Sequence, residues 1–116
     1  MIEPGFLRGD VVLCALPGGY GKPRPAVVVQ SDLYNETHAS IVLCPISSEV
    51  TGLTLFRIAI SASEASGLKK ESEVMVDKIT AARRTRIARR IGVLSTSQMN
   101  LVDDALRTWL ELPLRP

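Results

Sequence analysis

Histidine occurs once in this chain, at His38 inside the polar stretch "YNETHA", and no other ligand type stands at a useful spacing from it. A zinc-type cluster is therefore not expected. A Ser-His-Asp nucleophile system is not expected either, since the sequence also lacks a nucleophile-elbow motif. Cysteine is nearly as scarce: Cys14 and Cys44 each sit alone in an apolar run, with no CxxC pair. They read as small buried hydrophobes of a reducing compartment, not as a disulfide or a redox couple. No apolar run approaches the roughly 18 residues that a membrane span needs. The opening "MIEPGFLRGD" is acidic and contains proline without an apolar core, so no signal peptide is expected. The expectation is a cytoplasmic protein with no membrane partner and no cofactor.

Net charge is also nearly missing. A formal +2 is too small to argue for nucleic-acid binding on its own. Its distribution says more: Lys78, Arg83, Arg84, Arg86, Arg89 and Arg90 fall in one stretch with no acid among them. Such a stretch attracts phosphates, the alternative being an ordinary solvated face.

What the chain does have is 116 residues that are 46% hydrophobic, enough for one domain spanning 1–116 with an apolar core and no staples. "DVVLCAL" (10–16) reads as a strand buried on both faces, "RPAVVVQSD" (24–32) as a second, "SIVLCPI" (40–46) as a third, "LTLFRIAI" (53–60) as a fourth and "EVMVDKITA" (73–81) as a fifth. "SASEASGLKKES" (61–72) is polar and holds at most a helical turn, and the basic segment reads as a turn followed by a strand ending at "IGVL". The last element is a helix: Ser95 and Gln98 stand at capping-box spacing, Met99, Val102, Leu106, Trp109 and Leu110 recur at helical intervals, and Pro113 marks the stop. Short strands followed by one helix point to a mainly β fold, a small β-barrel closed by a helix.

Between the first two strands lies "PGGYGKP" (17–23), a glycine loop running into Arg24. It is not a phosphate-binding P-loop, because Lys22 precedes a proline and a strand where that motif has Ser or Thr and a helix. Arg24 is flanked by Pro23 and Pro25, so its fork can be aimed with little entropy lost on binding. The plain alternative is an edge arginine paired with a nearby acid. Ser47 and Ser48 end the third strand as hydroxyls, with turn capping as their plain alternative.

The order "RGDVVLCALPGGYGKPRPAVVVQSD", "VLCPISS", "SEVMVDKITA", "IGVLSTSQMNLVDDALRTWLEL" resembles the MazF/PemK family of type II toxins, sequence-specific endoribonucleases also called mRNA interferases. The resemblance runs over nearly the whole chain. It implies an SH3-like β-barrel with a C-terminal α-helix, a homodimer, and single-stranded RNA bound in grooves along the dimer interface. It also implies metal-free cleavage to 2′,3′-cyclic phosphate and 5′-hydroxyl ends, and a partner antitoxin whose acidic C-terminal tail occupies the RNA groove. The family's essential arginine falls on Arg24. Its essential threonine falls on Ser47, where this chain keeps the hydroxyl and loses the methyl. Some members carry an acidic residue in the loop before the arginine; residues 17–23 contain none.

The residues suit that chemistry. Attack of a 2′-hydroxyl on the adjacent phosphorus builds charge on a phosphorane. Arg24 can hold two of its oxygens while Ser47 donates to a third. Arginine is a poor general base at neutral pH, so the base stays unassigned here. The same resemblance makes Tyr20, Lys22, Ser31, Ser48, Asp77 and Lys78 candidates for RNA contact: Tyr20 could stack on a base, Lys22 could meet phosphate, and Asp77 and Lys78 lie on the strand where the family contacts bases. Phe56 and Trp109 fit core patterns. Two other readings stay open at this stage, a CcdB-like gyrase-poisoning toxin of the same fold and a non-catalytic SH3-like RNA-binding module.

Overall fold

The computed structural model describes residues 5–53 and 55–113. Residues 1–4, on which the expectation about a leader partly rests, and Thr54 of the expected fourth strand lie outside them.

Seven strands form one antiparallel sheet: β1 (Asp10–Ala15), β2 (Pro23–Val28), β3 (Ser40–Ser47), β4 (Arg57–Ile60), β5 (Ser72–Met75), β6 (Thr80–Arg83) and β7 (Ile87–Val93). The order across the sheet is β4-β5-β3-β2-β1-β7, with β6 on β3. Among the described residues hydrogen bonding does not close this sheet, so "barrel" describes it only loosely. The helices are a single turn, α1 (Asp32–Asn35), and the long α2 (Thr96–Leu110). Among the described residues no helix is long and apolar enough to cross a membrane.

The continuous apolar runs of β1 and β2 are explained by burial on both sides. Alternate residues face opposite ways along a strand. Val11 and Val27 thus join one core, with Cys44, Val74 and the α2 residues Met99, Val102 and Leu106. Val12, Cys14, Ala26 and Val28 join a second with Ile41, Leu43 and Ile87. Both cysteines are free and buried, and burial pushes the Cys44 thiol up to about 12. They are inert packing, as the sequence suggested.

α2 carries the expected cap. Ser95 Oγ accepts from the Gln98 amide at 3.1 Å and Gln98 Oε1 from the Ser95 amide at 2.7 Å. Trp109 remains half-exposed; it meets Phe56 edge-on, with ring centroids 4.7 Å apart. Arg8, just before β1, bonds the Val29 carbonyl through Nε and pairs with Asp103 of α2, tying the helix to the sheet.

Three boundaries differ from the sequence pattern. The second strand stops at Val28 because Ser31 turns the chain into α1, its Oγ accepting from the Leu33 amide. The fourth begins only at Arg57. The expected single strand over 73–81 is two, β5 and β6, separated by a 3-10 turn at Val76–Lys78. The far edge of β3 is divided between them: its first half pairs with β6, and Ile46 and Ser47 pair with β5. Val76 is fully buried at the break, so the turn follows the core around while the alternation of valines simply continues through it.

The segment between β4 and β5 is well anchored. Ser66 is buried, its Oγ bonding the Ser61 carbonyl and accepting from the Leu68 amide. Gly67 has φ +73°, and a Cβ there would stand 2.1 Å from the Ile91 carbonyl oxygen; a Cβ on Gly92 would meet Ser66 at 2.3 Å. Two glycines let this loop seat directly on β7.

Candidate active site

The β2–β3 register pairs Val28 with Leu43, Val27 with Cys44 and Ala26 with Pro45. Neither Pro25 nor Pro45 can donate to the ladder, which ends there. Just beyond this break Arg24 pairs with Cys14 of β1 and Ser47 with Glu73 of β5. The two residues singled out from sequence thus stand at the adjacent ends of β2 and β3, and both line one open cleft of about 650 Å³.

Arg24 is exposed, and among the described residues the ion pairs engage Arg8, Arg57, Arg90 and Arg107 and leave it unpaired. The edge-arginine alternative does not hold. Ser47 accepts from the Glu49 backbone N–H at 3.0 Å through Oγ. That is the turn cap of the plain alternative, yet accepting a bond leaves the hydroxyl proton free to donate into the cleft. Capping fixes the oxygen; it does not consume the donor.

Ser47 is further held through its register partner. Glu73 pairs with it across β3 and β5 and is only 2% exposed. Its carboxylate accepts from Thr51 Oγ1 and from the Gly52 amide, both at 2.9 Å. Hydrogen bonds from the Thr51 backbone, then from Gly52 and the Thr51 hydroxyl, hold its pKa below the usual carboxylate range against the opposing effect of burial. The loop that leaves Ser47 is clamped by a buried acid.

The cleft also takes in Ser48, Glu49, Lys69, Lys70, Met75 and Arg89. Lys69 and Lys70 stand on the loop seated by Gly67, and Arg89 on β7 (Ile87–Val93). Sequence reasoning missed Glu49 and both lysines as site residues; their only signal was polar character in segments read as connections.

The other candidates are placed elsewhere. Tyr20 is fully exposed at φ +56° and lines a separate groove of about 430 Å³ with Arg83 and Arg86. Lys22 is exposed on the same loop, its amide bonded to the Gly19 carbonyl. Ser31 caps α1, beyond the opposite end of β2 from Arg24. Asp77 is held by Arg57 in a two-point pair of 2.9 and 3.1 Å, which lowers its pKa. Lys78 is exposed on the 3-10 turn. Of the predicted residues, the cleft brings together Arg24, Ser47 and Ser48.

Comparison with known proteins bears on the whole unit. A family model described as PemK-like, MazF-like toxin of type II toxin-antitoxin system matches residues 7–110. A probable endoribonuclease MazF of Mycolicibacterium smegmatis is 38% identical over 104 residues, covering 89% of this chain and 94% of that protein. An endoribonuclease MazF9 of Mycobacterium tuberculosis is 30% identical over 77% of this chain and 79% of that one. Among solved structures, a mycobacterial endoribonuclease in complex with its cognate antitoxin superposes with a TM-score of 0.79 at 24% identity, over 95% of this chain and 99% of that one. A MazE-MazF crystal structure from Deinococcus radiodurans gives 0.79 at 19%, over 96% and 100%. With its strands, terminal helix and strand-end cleft, the chain belongs to the PemK-like, MazF-like toxins of type II toxin-antitoxin systems.

Proposed function

We propose that this chain is the toxin of a type II toxin-antitoxin pair and acts in the cytoplasm as an endoribonuclease on single-stranded RNA. The observation that carries this reading is the presence of an unpaired Arg24 and a capped Ser47 in the lining of one open cleft. A scissile phosphate fits between them. Arg24 grips two non-bridging oxygens through its fork and Ser47 donates to the third position as charge develops. The nucleophile is the RNA's own 2′-hydroxyl, so the reaction needs neither a protein nucleophile nor a metal, and it yields 2′,3′-cyclic phosphate and 5′-hydroxyl ends. Ser48 supplies a second hydroxyl in the cleft. Tyr20, beside Arg83 and Arg86, offers a stacking platform with cations for the strand beyond the cut.

The same cationic cleft suits the acidic tail of an antitoxin, which would block Arg24 by occupying the phosphate's place. A homodimer would set two such clefts along one surface, deepening a groove that a single small unit leaves shallow.

Incubation of the purified protein with a long RNA in EDTA tests the reading. Discrete cuts with 5′-hydroxyl ends are expected. Cleavage that only magnesium restores, 5′-phosphate ends, or gyrase inhibition without any cuts would overturn it.

A further inference from the structure

The proposed chemistry needs a proton acceptor for the 2′-hydroxyl, and the loop before Arg24 has no acid to offer. Arg24 and Ser47 both act as hydrogen-bond donors to the phosphate. Among the residues that line the cleft one is acidic, Glu49. It stands two residues after Ser47, and its own backbone N–H is the group that Ser47 Oγ caps. The backbone of Glu49 is therefore tied directly to Ser47, and its side chain projects from that fixed point.

Its carboxylate is also available. Glu73 is occupied by Thr51 and Gly52, and Asp77 by Arg57. Glu49 is exposed, and among the described residues its carboxylate enters none of the ion pairs. The charged groups sharing its cleft are Arg24 from β2, Lys69 and Lys70 from the loop before β5, and Arg89 from β7. Four cations around one acid let a polyanion enter despite the carboxylate.

We propose that Glu49 is the general base of this cleft, an assignment that rests on the endoribonuclease reading. The Glu49 carboxylate takes the 2′-hydroxyl proton as the 2′-oxygen bonds to phosphorus. The bond from phosphorus to the 5′-oxygen breaks, and that oxygen takes a proton from water in the open cleft. Glu49 then gives its proton to solvent, so no proton is gained or lost overall.

Glu49→Gln preserves size and removes the base. Single-turnover cleavage of one RNA by wild type and variant, from about pH 5 to about pH 9 and over a range of enzyme concentration, decides the assignment. Thermal melting accompanies it to show that both are folded. The expected result is a loss of about 100-fold or more in the saturating rate at neutral pH, the range for a positioned proton-transfer group, with half-saturation moved less than about threefold. The acid limb of the rate profile should vanish with the carboxylate and reappear in Glu49→Asp. A Gln variant that cuts within about threefold of wild type, cuts faster, or keeps the acid limb overturns the assignment while leaving the endoribonuclease reading intact. A wild type that makes no cuts overturns that reading, and the assignment falls with it.

Discussion

Replacing Arg24 is the most direct challenge to the cleft. Its side chain is exposed and takes part in none of the ion pairs, so Arg24→Ala should change folding stability by less than about 0.5 kcal/mol, as surface substitutions do. Its effect on chemistry should be of another order. Loss of one preorganised donor raises a barrier by about 2.7–4 kcal/mol, and a guanidinium facing a phosphorane supplies two contacts. The rate should therefore fall by at least about 10³-fold. Arg24→Lys should fall nearly as far, because an ammonium cannot span two oxygens in one plane. Ser47→Ala loses a single donor, about 10²–10³-fold, together with the cap on the Glu49 amide, worth about 1 kcal/mol of stability. Ser47→Thr keeps both and should cut RNA. Single-turnover rates on one RNA, paired with thermal melting of each variant, provide the comparison. An Arg24→Ala protein that cuts within tenfold of wild type, about 1.4 kcal/mol, would show that the reacting phosphate does not sit between β2 and β3.

Glu73 and Asp77 both have depressed pKa values in the folded chain, against ordinary values of 4.5 and 3.8, so their contribution to stability is complete above those values and is lost as pH falls through and below them. Urea midpoints should fall with acidification across that window, and less steeply in Glu73→Gln; a midpoint rising on acidification would refute the clamp. Gly67→Ala should destabilise by at least about 2 kcal/mol, since the methyl would stand 2.1 Å from the Ile91 carbonyl oxygen at φ +73°. An unchanged urea midpoint would mean that the loop does not seat on β7 as described. Light scattering at micromolar concentration should report roughly twice 12.6 kDa, and a monomer cutting RNA at full rate would remove the dimer from the proposal.

The elements legible in the sequence were those whose signals are local. The runs at 10–16, 24–32 and 40–46 announced strands, the first of them buried on both faces, and the spacing of Ser95 and Gln98 marked the start of α2. Arg24 and Ser47 could be chosen because prolines and a strand end advertised them, and the antiparallel pairing of β2 with β3 brings those two strand ends to the same end of the sheet. The break at Val76–Lys78 was invisible, because Val74 and Val76 continue the alternation of a single strand while the chain bends around a core assembled from distant elements. Lys69, Lys70 and Glu49 escaped for a related reason. What brings them to the cleft is the packing of Gly67 on Ile91 and of Ser66 on Gly92, far apart in the chain, and a buried Glu73 whose partners follow Ser47. Nothing in "SASEASGLKKES" or "SEVMV" encodes those meetings.

An open sheet has edges, and edges recruit strands from other molecules. Here the two ends of the strand order are spoiled. β4 is four residues long and begins with Arg57. β7 carries Arg89 and Arg90, and its register with β1 slips twice, which skews the row of amides and carbonyls that a foreign strand would have to match. The arginines of this segment, met first as a cationic run, thus also lie along an edge of the sheet, a placement distinct from any attraction to phosphate. They make that edge a poor template for the strand of a second copy, as charges on an exposed strand ordinarily do.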